Sequence, residues 1–485
     1  MGEPIPLGRL LTELAARDPD RPAVTDDQRT VSRGELEAGA NRLARAYRGL
    51  GVTEGDLVTV GLSNGIPFYT TVFALWKLGA VPQLISPALP APERDAILRL
   101  ARPVLVVGVD PDRVPGEFRC APDDLLADPA LDGTPLPDSP VAPAWKAPTS
   151  GGSTGRPKLI VAGQRGELDV APIAATLRQH DGQVQLVCGP LYHNAPFNFS
   201  MYGLLAGQQL VVLPKFDTVA ALTTIARHRV QWISLVPTMM SRMHRELSTR
   251  PGDYDIGSLR SVWHGAAACP PWLKRAWIDL VGADRLFEMY ATTESTMMTL
   301  ITGTEWLAHP GSVGRPLFGR VRILDDAGRE APAGVNGEIF VRPDEGAAAT
   351  YRYVGATPRR VDGWDSVGDL GRVDAEGYLY IDDRRADLIV TGGANVYPAE
   401  VEAVLTEHPG VRGVVVLGLP DDDLGHRVHA VIETSEPLAD SELRAFVGAR
   451  LARYKVPREF TYTEAALRDD AGKVRRAALA ATLGG

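Results

Sequence analysis

The sequence predicts an α/β protein with a large N-terminal domain of mostly parallel sheets, an antiparallel unit at the end of that domain, and a small α+β domain at the C-terminus. Three observations predict it. Short β-branched runs ending at Gly or Pro alternate with helix-length stretches through most of the chain, the pattern of parallel sheets covered on both faces. After Gly311 this gives way to short strands joined by Gly/Asn turns. After Asp382 it changes again, and the last hundred residues hold about two helices and three strands.

In chain order, LVTVGL (57–62) reads as a strand and FYTTVFALWKLGA (68–80) as a mostly buried helix closed by Gly79. PVLVVG (103–108) is a further strand, followed by a Pro- and Asp-rich stretch to Pro143. VQLVCGP (184–190), QLVVLP (209–214) and WISLVP (232–237) are strands separated by helices such as 218–229 and 238–247. Residues 321–342 form an antiparallel unit, and 371–382 a hairpin with Ala375-Glu376-Gly377 near its turn. The segment from Leu388 to Pro420 reads turn, helix, strand. The boundary falls at roughly 384–387, giving domains 1–384 and 385–485.

A chain of 485 residues exceeds one ordinary domain, and 45% apolar with 23% charged residues is ordinary for a soluble globular protein. The net charge of −9 and the scattered basic residues argue against a nucleic-acid partner. Cys120, Cys188 and Cys269 lie too far apart for a disulfide framework or a zinc site. The N-terminal residues show no signal-peptide pattern, and the apolar stretch Tyr69–Leu84 is interrupted by Lys77 and Gly79, so no membrane span is expected. The expectation is a cytoplasmic protein.

The sharpest motif is TSGGSTGRPK, comprising Thr149, Ser150, Gly151, Gly152, Ser153, Thr154, Gly155, Arg156, Pro157 and Lys158. Glycines and small hydroxylated residues let backbone N–H groups and hydroxyls wrap phosphate oxygens, and the two basic residues add charge. Pro157 before the lysine distinguishes it from a Walker loop. Taken alone, the same composition also suits a flexible linker.

This loop resembles the phosphate loop of the adenylate-forming superfamily, which comprises acyl- and aryl-CoA synthetases, peptide-synthetase adenylation domains and firefly luciferase. The usual form has one glycine fewer, and the extra glycine is familiar among aryl-acid and some acyl-CoA members. The resemblance continues in order along nearly the whole chain. YATTES (290–295) resembles the Tyr-Gly-x-Thr-Glu segment, with Ala291 in place of the glycine. That assigns adenine stacking to Tyr290, a backbone position beside the nucleotide to Thr292, the α-phosphate to Thr293 and Mg²⁺ to Glu294. HGAAAC (264–269) resembles the segment under adenine and the acyl group, through Gly265, Ala266 and Ala267. VGDLGR (367–372) resembles the segment whose Asp holds the ribose hydroxyls, here Asp369, with Arg384 as the ribose arginine. AGKVRRAAL (471–479) resembles the terminal Gly-Lys motif, making Lys473 the cation between the α-phosphate and the attacking carboxylate. At the hinge, where many relatives carry Asp or Lys, this chain has Ala386.

The resemblance implies stacked sheets, a β-barrel-like antiparallel unit, a mobile C-terminal lid, and an acid–thiol ligase. Such an enzyme uses ATP, Mg²⁺ and coenzyme A, makes an acyl-adenylate and passes the acyl group to a thiol. His193 resembles a gate beside the carboxylate, and Asn198, Trp263, His264, Met289, Met297 and Met298 are candidate walls of the acyl pocket. Gly392 and Gly393 resemble the path of the pantetheine arm. A hydrophobic, steroid- or terpenoid-like acid is the first expectation and an aryl acid the second. A separate acyl carrier protein as thiol acceptor, and a non-catalytic nucleotide-binding scaffold, are the alternatives. The expected assembly is a monomer or homodimer.

Overall fold

The computed structural model describes residues 2–122, 125, 131–151, 157–325, 327–391, 393–421, 423–436, 438–469 and 472–483. Its framework is a sheet of fourteen strands. Six run parallel, in the spatial order Pro22–Thr25, Gln209–Val212, Val184–Val187, Trp232–Leu235, Ser261–His264 and Leu286–Ala291. These are the β-branched runs of the sequence, and they are buried along most of their length, as strands covered on both faces must be. Met298–Thr302 and Ser312–Phe318 then continue the sheet in antiparallel sense. The antiparallel unit follows without a break, because Ser312–Phe318 pairs with Leu379–Arg384, and the order continues through Trp364–Val373, Gly337–Arg342 and Arg320–Leu324.

A second parallel sheet holds Leu57–Val60, Val81–Leu84 and Leu105–Val107. Between it and the large sheet lies the helix Ile66–Lys77, which has no hydrophilic face because it is covered all round. One apolar core joins Val58 and Val60 of the small sheet, Phe68, Phe73 and Trp76 of this helix, and Val187, Leu210 and Val212 of the large sheet. The helix stops where expected, with Gly79 at φ +69°.

The one charge in that helix is neutralised locally. Lys77 Nζ, 1% exposed, lies 2.8 Å from Glu37 Oε1, 2.9 Å from Thr12 Oγ1 and 3.1 Å from the carbonyl of Gly8. Three helices, Leu7–Arg17, Arg33–Gly49 and Ile66–Lys77, are thereby pinned at one point.

The C-terminal part is richer than the sequence pattern suggests. After Arg384 the described residues contain five strands and three α-helices, not three and two. Two of the extra elements are the three-residue strands Ile389–Thr391 and Ala394–Val396, too short to show alternation. The third is the helix Arg476–Leu483, whose Leu479 and Leu483 pack beside Val415, Leu417 and Leu419. This part docks on the rest of the chain: Arg245 donates to the carbonyl of Val411 at 3.1 Å, and Trp272 Nε1 to Thr406 Oγ1 at 3.4 Å. Among the described residues, no helix is long and apolar enough to cross a membrane.

Removing one partner of a buried ion pair leaves an uncompensated charge. Glu37→Ala is expected to destabilise the fold by ~3–5 kcal/mol, with the double change Glu37→Leu/Lys77→Met recovering most of that loss. Urea unfolding midpoints check both, and equal loss in the two variants would contradict the pairing.

Candidate active site

The two ends of the glycine-rich segment lie on paired strands. Thr149–Gly151 pairs antiparallel with Pro157–Ala162, so Ser150 faces Lys158 in register. Gly152, Ser153, Thr154 and Gly155 lie outside the described residues, as does Gly392. Thr149 is fixed by its own hydroxyl, which donates to the carbonyl of Leu84 at 3.0 Å. A third strand, Tyr351–Val354, pairs with Leu159–Ala162 and brings in Tyr353. Lys158 Nζ sits 3.9 Å from the centroid of the Tyr353 ring and 3.4 Å from Glu294 Oε1, and the Tyr353 hydroxyl donates to that same oxygen. Tyr353 is a member of the site that the sequence reading missed.

Thr292, Thr293 and Glu294 form a tight turn after the strand Leu286–Ala291. The turn closes with Ser295 N–H donating to the Thr292 carbonyl at 3.0 Å, and Ser295 takes φ +52°. Tyr290, just upstream, donates to Asp369 Oδ2 at 2.5 Å. Asp369 and Arg384 are register partners on neighbouring strands, with Arg384 Nε 3.5 Å from Asp369 Oδ1. Burial raises the Asp369 carboxyl above its ordinary range, against the opposing pull of Arg384 and the Tyr290 hydroxyl. Gly265 sits where a Cβ would lie 2.5 Å from the carbonyl of Met289, so backbone meets backbone there, and Ala266 takes φ +66°. Ala267 and Ala291 flank the same strand ends.

Lys473 approaches His193 and Arg384 from the C-terminal side. Its N–H donates to Asp469 Oδ1 at 2.8 Å, and Gly472 at φ +75° brings the turn against Val236 and Thr238. Desolvation and the nearby Arg384 guanidinium lower the Lys473 pKa, while Asp469 opposes them. His193 lies within the electrostatic reach of this lysine: burial first, then Lys473, push its pKa down to about 4. Its imidazole is therefore neutral at neutral pH.

The candidate acyl walls divide. Trp263 packs with Phe199, Trp232 and Phe287, and Met289 joins the same cluster. Asn198 lies half-buried on the helix Asn194–Leu205, whose Ala195 and Tyr202 touch that cluster. His264 does not belong with them. Successive side chains of a strand point to opposite faces, and His264 is turned toward Glu288, 3.9 Å away, and its partner Lys274. Met297 is likewise core, packed with Ile323, Ile339, Val341 and Leu379 of the antiparallel unit. Met298 begins the strand Met298–Thr302. Gly393 is the open tip of the hairpin Ile389–Val396 at φ +80°.

Among the described residues, no group of three or more His, Cys, Asp or Glu side chains forms a metal cage. Glu294 still suits Mg²⁺, which needs only one or two carboxylates when phosphates supply further ligands.

The model for the AMP-binding enzyme family matches residues 11–352, and that for the AMP-binding enzyme C-terminal domain matches 400–473. Among curated proteins, the chain is 28% identical to a 2-succinylbenzoate–CoA ligase of Bacillus cereus, covering 96% of each chain. It is 29% identical to the long-chain-fatty-acid–CoA ligase FadD13 of Mycobacterium tuberculosis, over 98% of this chain and 97% of that one. Among solved structures, o-succinylbenzoate CoA synthetase (MenE) from Bacillus subtilis in complex with the acyl-adenylate intermediate OSB-AMP superposes with a TM-score of 0.82. It shares 26% identity, with 99% of this chain and 98% of that one covered.

A histidine held neutral down to about 4, against an ordinary 6.5, takes up its proton in the unfolded chain first. Its contribution to stability is therefore present above the ordinary value and lost as pH falls toward the folded one. An NMR titration of His193 is expected to show a midpoint near 4, shifted upward by Lys473→Ala. A midpoint unmoved by that change would separate the two groups.

Proposed function

The chain belongs to the AMP-binding enzyme family, and from that premise we propose that it is an ATP-dependent acyl-CoA synthetase, with 1–384 as the ATP- and acid-binding domain and 385–485 as a mobile lid. The observation that carries this reading is the convergence of three distant segments: Lys158 with Glu294, the Tyr290–Asp369–Arg384 cluster, and Lys473 from the tail, close enough to His193 to depress its pKa.

In this reading the acid's carboxylate oxygen bonds to the α-phosphorus of ATP as pyrophosphate leaves. Asp369 accepts the two ribose hydroxyls and Arg384 steadies its charge. Tyr290 covers the adenine edge, with the Gly265–Ala267 backbone beneath. Thr293 bonds the α-phosphate, and Lys158 faces the departing phosphates. Mg²⁺ held by Glu294 would neutralise charge on the phosphates. Lys473 lies between the carboxylate and the α-phosphate, drawing two anions together. Neutral His193 places no charge against the approaching carboxylate. In the second step the thiol sulfur of coenzyme A bonds to the acyl carbon and AMP leaves. Lys473 must then withdraw, which calls for motion of the small domain. Gly393, with Gly392 before it in sequence, is the candidate approach for the pantetheine arm. The acid's apolar body lies against Trp263, Phe199 and Met289.

Lys473→Ala is expected to slow pyrophosphate release by ~100-fold or more while sparing thioester formation from supplied acyl-AMP. Equal loss in both half-reactions would remove Lys473 from its role. Glu294→Gln is expected to raise the Mg²⁺ concentration needed for half-maximal turnover, and an unchanged metal requirement would exclude this carboxylate as the ligand.

A further inference from the structure

Among the described residues three lysines are buried: Lys77, Lys146 and Lys274, at 1%, 2% and 1% exposure. Two of them have carboxylate partners, Glu37 for Lys77 and Glu288 for Lys274. Lys146 does not. Its Nζ meets the side-chain oxygens of Asn194 and Asn198 and lies 4.3 Å from the Trp145 ring centroid and 5.7 Å from that of Phe197. Two neutral carbonyl dipoles and two aromatic faces do not replace a counter-ion, and a buried ammonium without one is costly. Burial accordingly drives the Lys146 pKa well below its ordinary value.

The surroundings place this charge beside the candidate acyl wall. Asn194 and Asn198 are one turn apart on the helix that starts directly after His193, and both are half-buried where Lys146 is fully covered. With their oxygens on Lys146, their amide hydrogens point away from it. The same helix packs through Ala195 and Tyr202 on the cluster of Trp263 and Met289, and Tyr202 stacks on Trp145 with centroids 5.6 Å apart. Trp263 Nε1 is itself buried without a hydrogen-bond partner. A wall serving a purely hydrocarbon acid has no use for a buried lysine without a carboxylate partner, two asparagine amides and a buried indole N–H without an acceptor.

We propose that Lys146, Asn194 and Asn198 form the recognition site for a second carboxylate on the acid, distal to the one that is activated. This deepens the acid-activating reading and rests on it: the substrate class becomes a diacid with an apolar body. The second carboxylate accepts hydrogen bonds from the outward amides, restores a counter-charge to Lys146 and makes that lysine a specificity-determining residue. A site built to pair a polar group rejects the analogue lacking it, because the site's own groups are left unmet.

The test is pyrophosphate release by the full-length enzyme with acids arranged in matched pairs, such as octanedioate with octanoate and 2-succinylbenzoate with 4-oxo-4-phenylbutanoate. The diacids are expected to have the higher kcat/KM. Lys146→Met should lower kcat/KM for diacids by ~100-fold and leave the monoacids within a few-fold. Asn198→Leu, which buries no new charge, should shift the preference in the same direction by less and serves if the first variant folds poorly. A wild-type preference for monoacids, or equal losses on both members of every pair in both variants, would overturn the assignment. Absence of pyrophosphate release with every acid, mono or di, would instead overturn the acid-activating reading and this inference with it.

Discussion

Phosphoryl chemistry in a chain of net charge −9 depends on gathering a few cations into one cleft. Three are gathered, each from a different part of the sequence: Lys158 from the strand Pro157–Ala162, Arg384 from the antiparallel unit and Lys473 from the tail. Each has a carboxylate beside it. Glu294 lies 3.4 Å from Lys158, Asp369 lies 3.5 Å from Arg384, and Asp469 holds the turn that carries Lys473. These distances are long for ion pairs, so the cations remain open to better-placed anions. Like charges held near one another are costly until a polyanion arrives, and Arg384 adds to the desolvation that lowers the Lys473 pKa.

The sheet explains why such distant segments meet. In a parallel sheet all strands end at the same edge, and the loops that follow them are neighbours however far apart they lie in sequence. The loop after Val184–Val187 leads to His193. After Trp232–Leu235 come Val236 and then Thr238 in the first turn of the helix Pro237–Thr249, against which Gly472 packs. The loop after Ser261–His264 is Gly265–Ala267, and the turn after Leu286–Ala291 is Thr292–Glu294. The large sheet thus presents four consecutive loops to one cleft.

That geometry also determines what was legible in the sequence. Motifs placed directly after a β-branched run, such as YATTES and HGAAAC, carry their own address, because the run identifies the strand and the motif its end. Side-chain direction is harder to read. Trp263 and His264 are adjacent in sequence, yet the pleat sends one into the cluster of Phe199, Trp232 and Phe287 and the other beneath the helix Pro271–Val281. Tyr353 carried no signal, since an aromatic in a Tyr-Arg-Tyr strand reads as ordinary packing. Lys146 carried none either: a lone lysine among prolines and alanines looks solvated, and only packing reveals that it is covered. The short strands after Arg384 escaped because three residues are below the length at which period two can be recognised.

Two ion pairs between the C-terminal part and the rest of the chain are individually weak. Arg475 pairs with Glu93 at 3.4 Å with both side chains exposed, and Arg242 reaches Glu433 only at 4.0 Å. Exposed pairs of this kind contribute about 0–1 kcal/mol each. The internal ties on either side of the connecting turn are stronger. Arg385 pairs with the buried Glu338 of the antiparallel unit, whereas Asp387 and Glu402 are both held by Arg476 of the C-terminal helix. Arg385 is thus fastened to the antiparallel unit and Asp387 to the C-terminal helix, with Ala386 between them.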